Sequence, residues 1–294
     1  YMVSDLREAV YIYDDLTTFL STAIPSSLSA AITATAGSVP VLAFWKTQPV
    51  DLSGLAVANV NACTTTFTAA ASPATAADLQ NECKALLQSR HAYTLVVYVQ
   101  TVGSDDTWSG EARLRRYELQ KYKDNEPTVT NKMEWNTGYV DPVVSGFATW
   151  PKIGTTNCQT APVATAYATC KARNPGIVGG STAVMMDFVA HPWRQTTEST
   201  LAAPTALTDI SCPATGYTAL PQSTATPPIP QSRSFYACIR DTAAASTDGS
   251  FNYDNQDVVI HLKGNAKGRS GTTSNILTTA QTQITMRGVI DQSP

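Results

Sequence analysis

Three histidines, His91, His191 and His261, are the side chains on which most acid–base or metal chemistry in this sequence would depend. His91 precedes a predicted strand, His191 precedes a Pro-Trp pair, and His261 lies inside an apolar run. Neither a GxSxG nor an HExxH motif occurs in the chain. The sequence therefore predicts a protein that is not an enzyme and needs no cofactor. A secreted hydrolase with dispersed triad members stays open as the alternative, because triads are recognised by geometry.

An acidic segment, DGSFNYDNQD at residues 248–257, offers the oxygen ligands that Ca²⁺ prefers. Its candidate ligands are Asp248, Asn252, Asp254 and Asp257. Their spacing does not match the loop of an EF-hand. The sequence favours the alternative, a polar turn that enters a strand at Asp257, and so predicts no metal site.

One basic cluster with interleaved tyrosines could contact the phosphates of DNA. It consists of Arg113, Arg115, Arg116, Lys121 and Lys123. In a strand, Arg113 and Arg115 would share one face. One short cluster on a chain of net charge -3 is a small electrostatic footprint. The sequence therefore favours a solvated sheet face, or a contact with acidic neighbours, over DNA binding.

Four tryptophans, Trp108, Trp135, Trp150 and Trp193, lie in predicted loops. Such side chains serve either as a surface for carbohydrate or a partner, or as apolar plugs beneath the loops. The sequence leaves both uses open, although the plug is the commoner one.

The six cysteines fall into neighbouring pairs along the chain: Cys63 and Cys83, Cys158 and Cys170, Cys212 and Cys238. They form no CxxC motif, which argues against a zinc ribbon or a thioredoxin-like redox site. An even count with paired spacing predicts three disulfides and an oxidising compartment. We expect neighbours to pair, because three local loops are the simplest arrangement, and six buried free thiols remain the alternative.

Length and composition bound the remaining possibilities. The chain of 294 residues is long enough for a substantial core, and only 15% of its residues are charged. This mildly acidic balance argues against a general nucleic-acid-binding protein. The longest apolar runs are far shorter than the roughly 20 residues that a membrane-spanning helix needs.

The N-terminal segment has helical periodicity, with Leu6, Val10 and Tyr13 on one face. This pattern predicts a helix from Tyr1 to Ile24 that ends before Pro25. A shorter helix is predicted at about residues 77–87. Strands are predicted over 39–47, 92–102, 111–123, 182–190, 234–240, 257–263 and 281–290. Less regular insertions lie at about 48–90, 124–180 and 192–232.

Five stretches resemble parts of the minor pilins of type IV pili and the pseudopilins of type II secretion. They are SDLREAVYIYD, LAFWK, YTLVVYV, RLRRYEL and the closing TQITMRGVID. The order of the first four is similar to that in J-type pseudopilins and W-type minor pilins. The closing stretch resembles the last strand of cyanobacterial relatives, some of which are linked to polysaccharide secretion and gliding.

The resemblance implies a pilin-like α+β fold, in which an N-terminal amphipathic helix packs on antiparallel sheet with long disulfide-stapled loops. Residues 1–25 would be the second half of a longer helix whose membrane-spanning half would precede Tyr1. Residues 26–294 would form a β-rich head domain. Leu6, Val10 and Tyr13 would pack the helix on the sheet and support assembly.

The implied function is structural: a minor subunit of a type IV pilus-like filament that primes assembly or displays a binding surface at the tip. Adhesion, motility or natural transformation would be its setting. Its partners would be other pilins, with the inner membrane as anchor before assembly and the pilus or cell surface afterwards. The alternative is a module of the same filament that binds DNA or polysaccharide.

Overall fold

All but two of the described strands belong to one curled antiparallel sheet with the shape of a half-barrel. The computed structural model describes residues 1–13, 16, 29, 38–103, 107–177, 179–194, 207, 210–213, 216–222, 230–240, 257–267, 269 and 271–285. Strands account for 38% of the structure and helices for 20%. The expected pilin-like α+β fold, with a helix packed on a sheet, is therefore wrong.

The N-terminal segment shows why this expectation fails. Helix α1 spans only Met2–Arg7, and strand β1 follows at Ala9–Ile12. The β-branched and aromatic residues of β1 fit an extended backbone, and β1 pairs with the next strand through Tyr11 and Trp45. Tertiary pairing thus overrides the helical periodicity. Residues 14–24 of the expected helix, Leu16 excepted, lie outside the described residues.

Five strands lie side by side in the first half of the sheet, beginning with β1 at the edge. After β1 come β2 (Val39–Pro49), β3 (His91–Val102), β4 (Ala112–Leu119) and β7 (Ser181–Val189). Strands β3 and β4 form the hairpin that the sequence predicts, with eight residue pairs from Leu95↔Leu119 to Val102↔Ala112. We call this part the five-strand half.

The remaining strands of the large sheet form a four-strand half. They are β8 (Tyr217–Leu220), β9 (Phe235–Arg240), β10 (Asp257–Asn265) and β11 (Leu277–Thr285). The two halves are joined at the pair Val189↔Gly264, and Phe188 just before it has a φ of 61°. This left-handed residue bends β7, so the halves separate from the junction and face each other.

The inner faces of the two halves pack together. Gln100 on β3 donates a hydrogen bond to Ser234 Oγ (2.7 Å) and accepts one from Ser232 (2.9 Å), just before β9. Val258 and Ile239 of the four-strand half belong to the same buried core as residues of β2, β3 and β4. One core therefore links strands that are far apart in sequence.

Helices and loops cover the outer face of the five-strand half. The helices are α2 (Ala62–Thr66), α3 (Ala76–Ser89), α4 (Pro142–Ser145) and α5 (Val163–Cys170), with 3-10 turns at Ser53–Leu55 and Lys123–Asn125. A small hairpin of β5 (Lys152–Ile153) and β6 (Thr156–Asn157) joins them. Helix α3 begins with a capping box between Thr75 and Asp78, which fixes where it starts.

Two disulfides lie within this layer, and a third lies in the four-strand half. The pairs are Cys63–Cys83, Cys158–Cys170 and Cys212–Cys238, with Cα–Cα distances of 5.9, 6.1 and 5.6 Å. The predicted pairing of neighbours is confirmed. Three disulfides indicate an extracellular or otherwise oxidising compartment.

No helix within the described ranges is both long and apolar enough to span a bilayer.

Candidate apolar binding groove

An apolar groove opens where the two halves of the sheet separate, beside the start of α1. Its volume is about 320 Å³, a size at the lower end of small-molecule sites. The five-strand half contributes Tyr98, Leu114, Met185 and Met186. The four-strand half contributes Ile260, Leu262, Ala280, Gln281 and Thr282, and the N-terminus contributes Tyr1, Met2 and Val3.

Strand register explains why these side chains meet. Leu114 pairs with Met186, so both side chains leave the sheet on the same face. In the other half, Ile260 pairs with Thr282 and Leu262 pairs with Ala280. The groove is therefore built on rigid strands on two sides, and only its N-terminal wall comes from a short helix.

The chemistry of the lining favours an apolar ligand. None of the lining residues carries a charged side chain, and three of them are methionines, which adapt their shape to irregular apolar partners. Met186 is 42% exposed, so its side chain is available at the surface. Thr282, which pairs with Ile260 on the groove side of the sheet, adds a hydroxyl that could hydrogen-bond one polar end of a ligand.

A buried ionic cluster holds α1 against the sheet beside the groove. The Asp5 carboxylate accepts hydrogen bonds from Lys46 Nζ, Arg116 Nε and Tyr98 Oη, each at 2.8 Å. Glu8 adds a second contact to Lys46 at 3.1 Å. Because Tyr98 also lines the groove, this Asp5 cluster fixes both the helix and part of the groove wall.

Protonation in the Asp5 cluster is set by its contacts. Burial alone would raise the pKa of Asp5, but hydrogen bonds from Arg116, Lys46 and Tyr98 outweigh burial and hold that pKa below its ordinary value. For Lys46, burial alone would lower the pKa, but the contacts with Asp5 and Glu8 outweigh burial and raise that pKa above its ordinary value. Both groups are therefore charged at neutral pH.

The structure splits the predicted basic cluster between the two faces of β4. Arg116 lies on the inner face and pairs with Asp5 and Glu118. Arg113 is 4% exposed and donates to the Gly103 carbonyl, and Arg115 is half-buried. Among the five residues, Lys123 is the exposed one. The geometry does not bring them together as a continuous basic stripe.

Lys121 belongs to a second buried network beneath the loops. It contacts Asp141 at 2.9 Å and Glu82 at 3.5 Å. Glu82 also pairs with Arg173 and accepts a hydrogen bond from the Trp135 indole at 2.8 Å. Burial lowers the pKa of Lys121, but the two carboxylates raise it above its ordinary value. The positive charge of Lys121 is therefore balanced by these carboxylates inside the protein.

Two of the predicted loop tryptophans act as plugs. Trp150 is fully buried against Trp45, with ring centroids 5.2 Å apart, and Trp135 is 5% exposed. The cations of Lys121 and Arg173 lie 4.6 and 4.8 Å from the Trp135 ring. The Trp135 ring therefore makes cation–π contacts inside the protein.

The three histidines lie in separate places. His91 is exposed at the start of β3, His191 packs on Trp193, and His261 stacks on Tyr236 at 4.3 Å. Burial lowers the pKa of both His191 and His261. Among the described contacts, none joins a histidine to a serine hydroxyl in the manner of a triad.

Most of the candidate calcium segment lies outside the described residues, including Asp248, Asn252 and Asp254. Asp257 begins β10 and lies 3.5 Å from Arg240. Within the described part of the chain, no group of three or more His, Cys, Asp or Glu side chains is placed to hold a metal ion.

Leu6, Val10 and Tyr13 are all buried, at 0%, 8% and 4% exposure. Leu6 lies on α1, whereas Val10 lies on β1 and Tyr13 just after it, so the three share a core without sharing a helix. The predicted role of these residues in assembly stays a prediction.

Sequence reasoning missed the groove itself. The adjacent pair Met185-Met186 in a predicted strand was the available signal, because flexible thioethers are common at adaptable binding surfaces. The partner residues Ile260 and Leu262 occur in a strand that alternation alone assigns to the core.

Comparison with known proteins gives this chain no relative, since no family model, curated protein or solved structure matches it.

Proposed function

We propose that this protein is a non-catalytic binding module, and that it holds the apolar part of a small ligand in the groove. The observation that supports this most strongly is the groove itself. It is open, lined without charged side chains, and rich in methionine.

The energetics of such a site are favourable for a hydrocarbon chain or ring. Burying one methylene contributes about 0.8 kcal/mol. A chain of roughly seven methylenes would therefore gain about 6 kcal/mol before the cost of immobilisation. A micromolar complex needs about 8 kcal/mol, so this gain favours a weaker complex, with an uncharged or amphiphilic molecule whose polar end stays at Thr282.

The disulfides indicate an extracellular or oxidising compartment, and the binding role is assigned there. Inner-membrane anchoring and later display on a pilus stay predictions of the family resemblance. The filament role stays a prediction as well, and the long N-terminal helix on which it depended ends at Arg7. DNA and polysaccharide remain alternative ligands, and the partial burial of the basic cluster gives DNA a small contact surface.

Titration with the uncharged fluorescent probe N-phenyl-1-naphthylamine tests the proposal. We expect saturable fluorescence enhancement with the wild-type protein and competition by a straight-chain alcohol such as decanol. Ala280→Trp should fill the groove and weaken probe binding at least tenfold, because Ala280 lines it from the inner face of β11.

Thr279→Trp is the matched control, since Thr279 is the exposed neighbour of Ala280 and pairs with Lys263 on the opposite face of the same strand. It should leave probe affinity within about twofold. Equal loss in both variants, or no saturable binding by the wild-type protein, would show that the groove is not the site.

A further inference from the structure

Strand β11 presents an outer edge with unusual chemistry. Its single paired neighbour among the described residues is β10, along all nine residues from Leu277 to Thr285. Six of these residues are exposed, so much of each face of the strand is accessible to solvent. A long exposed edge presents unpaired backbone groups to any other extended chain.

The sequence of this edge lacks the features that usually block such pairing. LTTAQTQIT contains no charged residue, no proline and no glycine. Natural proteins commonly protect edges with lysine, proline, bulges or short length. The strands at the other ends, β1 and β8, have four residues each, and β1 contains a register shift. Only β11 is both long and regular among the described edges.

We propose that β11 pairs antiparallel with β11 of a second copy of this chain, so that the two sheets continue across a twofold axis. Because the strand has no charge of either sign, a copy of itself meets no like-charge repulsion. The pairing is isologous, with the same residues contributed by both chains, as in most dimers.

The register follows from the strand's midpoint. Centring the pair on Gln281 places Gln281 opposite its own copy and matches Thr279 with Gln283. Threonine and glutamine side chains opposite each other can form hydrogen bonds, and threonine favours an extended backbone. A centred pairing uses all nine residues, whereas any shift leaves backbone groups unpaired.

Sedimentation velocity over a concentration series tests this pairing. The wild-type protein should show a concentration-dependent monomer–dimer equilibrium. Gln281→Lys and Gln281→Glu should each weaken dimerisation at least tenfold, because like charges then oppose each other at the centre. An equimolar mixture of the two variants should dimerise again, since a lysine from one chain would then oppose a glutamate from the other.

Gln88→Lys and Gln88→Glu are the controls, because Gln88 is an exposed glutamine on α3. They should dimerise like the wild-type protein. A wild-type protein that stays monomeric up to about millimolar concentration would overturn the proposal. If both Gln281 variants still dimerise, or if their mixture does not regain dimerisation, then β11 is not the interface or the pairing is not centred on Gln281.

Discussion

The two faces of the five-strand half differ in the chemistry of the space that they leave open. On the outer face, Trp45 packs against Trp150 and hydrogen-bonds to Tyr13 at 2.9 Å. The loop layer there leaves a pocket of about 380 Å³, lined in part by the charged residues Lys132, Glu134 and Arg173. On the inner face, the same sheet leaves a groove of about 320 Å³ beside a helix of six residues.

This difference separates stability from binding within one sheet. A close-packed face with buried aromatic rings is costly to disturb, because every removed atom leaves a void. A groove wall held by one ionic cluster can tolerate changes of ligand or side chain at lower cost. We therefore expect outer-face variants to change unfolding, and substitutions of the side chains that line the groove, such as Ala280→Trp, to change binding with small effects on stability.

The largest expected effect is that of Trp150→Ala. Removing this fully buried indole should lower the free energy of unfolding by about 4 kcal/mol, from lost burial and the cavity left behind. Urea unfolding followed by circular dichroism measures the change. In the folded fraction, probe affinity at the groove should be unchanged.

Val144→Ala is the control for this variant, because Val144 is 44% exposed on the neighbouring helix α4. It should shift stability by less than about 0.5 kcal/mol. A loss below about 1 kcal/mol for Trp150→Ala would mean that the outer face is not the rigid one.

Asp5→Asn should have the next largest effect, on both stability and binding. The change keeps the side-chain shape and removes the charge, which leaves Lys46 and Arg116 without their main counter-ion. Breaking a buried pair in this way should cost about 3 kcal/mol. Probe binding should weaken as well, because α1 forms one wall of the groove.

The pH dependence gives this variant a distinctive signature. The folded pKa of Asp5 lies below its ordinary value of 3.8, so the stability contributed by its charge is present above that value. It is lost as the pH falls through the folded pKa. Asp5→Asn should therefore reduce the slope of stability against pH below about pH 4.

Asp124→Asn serves as the matched control, since Asp124 is exposed and its backbone conformation also suits asparagine. Its urea midpoint should match the wild type at neutral pH. If the stability of Asp5→Asn depends on pH below about pH 4 as that of the wild-type protein does, the cluster does not hold α1 in place.

Local patterns in the sequence were sufficient for much of this fold. Alternation and β-branched content located β2, β3, β4, β9 and β10, and the spacing of the cysteines anticipated all three disulfides. These features depend on neighbouring residues, so they can be read without knowing the tertiary structure.

The N-terminus and the groove could not be read in this way. Leu6, Val10 and Tyr13 fit a helical stripe, but pairing of β1 with β2 decided the conformation after Arg7. The faces taken by Met185 and Met186 depend on two register shifts between β4 and β7. Both outcomes are set by long-range contacts, which no local window contains.

The central claim is that the inner face binds an apolar ligand while the outer face does not. Methyl NMR of protein labelled with ¹³C at the methionine methyl groups tests it most directly. Met2, Met185 and Met186 line the groove, whereas Met133 is buried in the loop layer beside a separate pocket and serves as an internal reference. Titration with N-phenyl-1-naphthylamine should shift the three groove resonances in a saturable way and leave Met133 in place. Unchanged groove resonances, or equal shifts at Met133, would contradict the account.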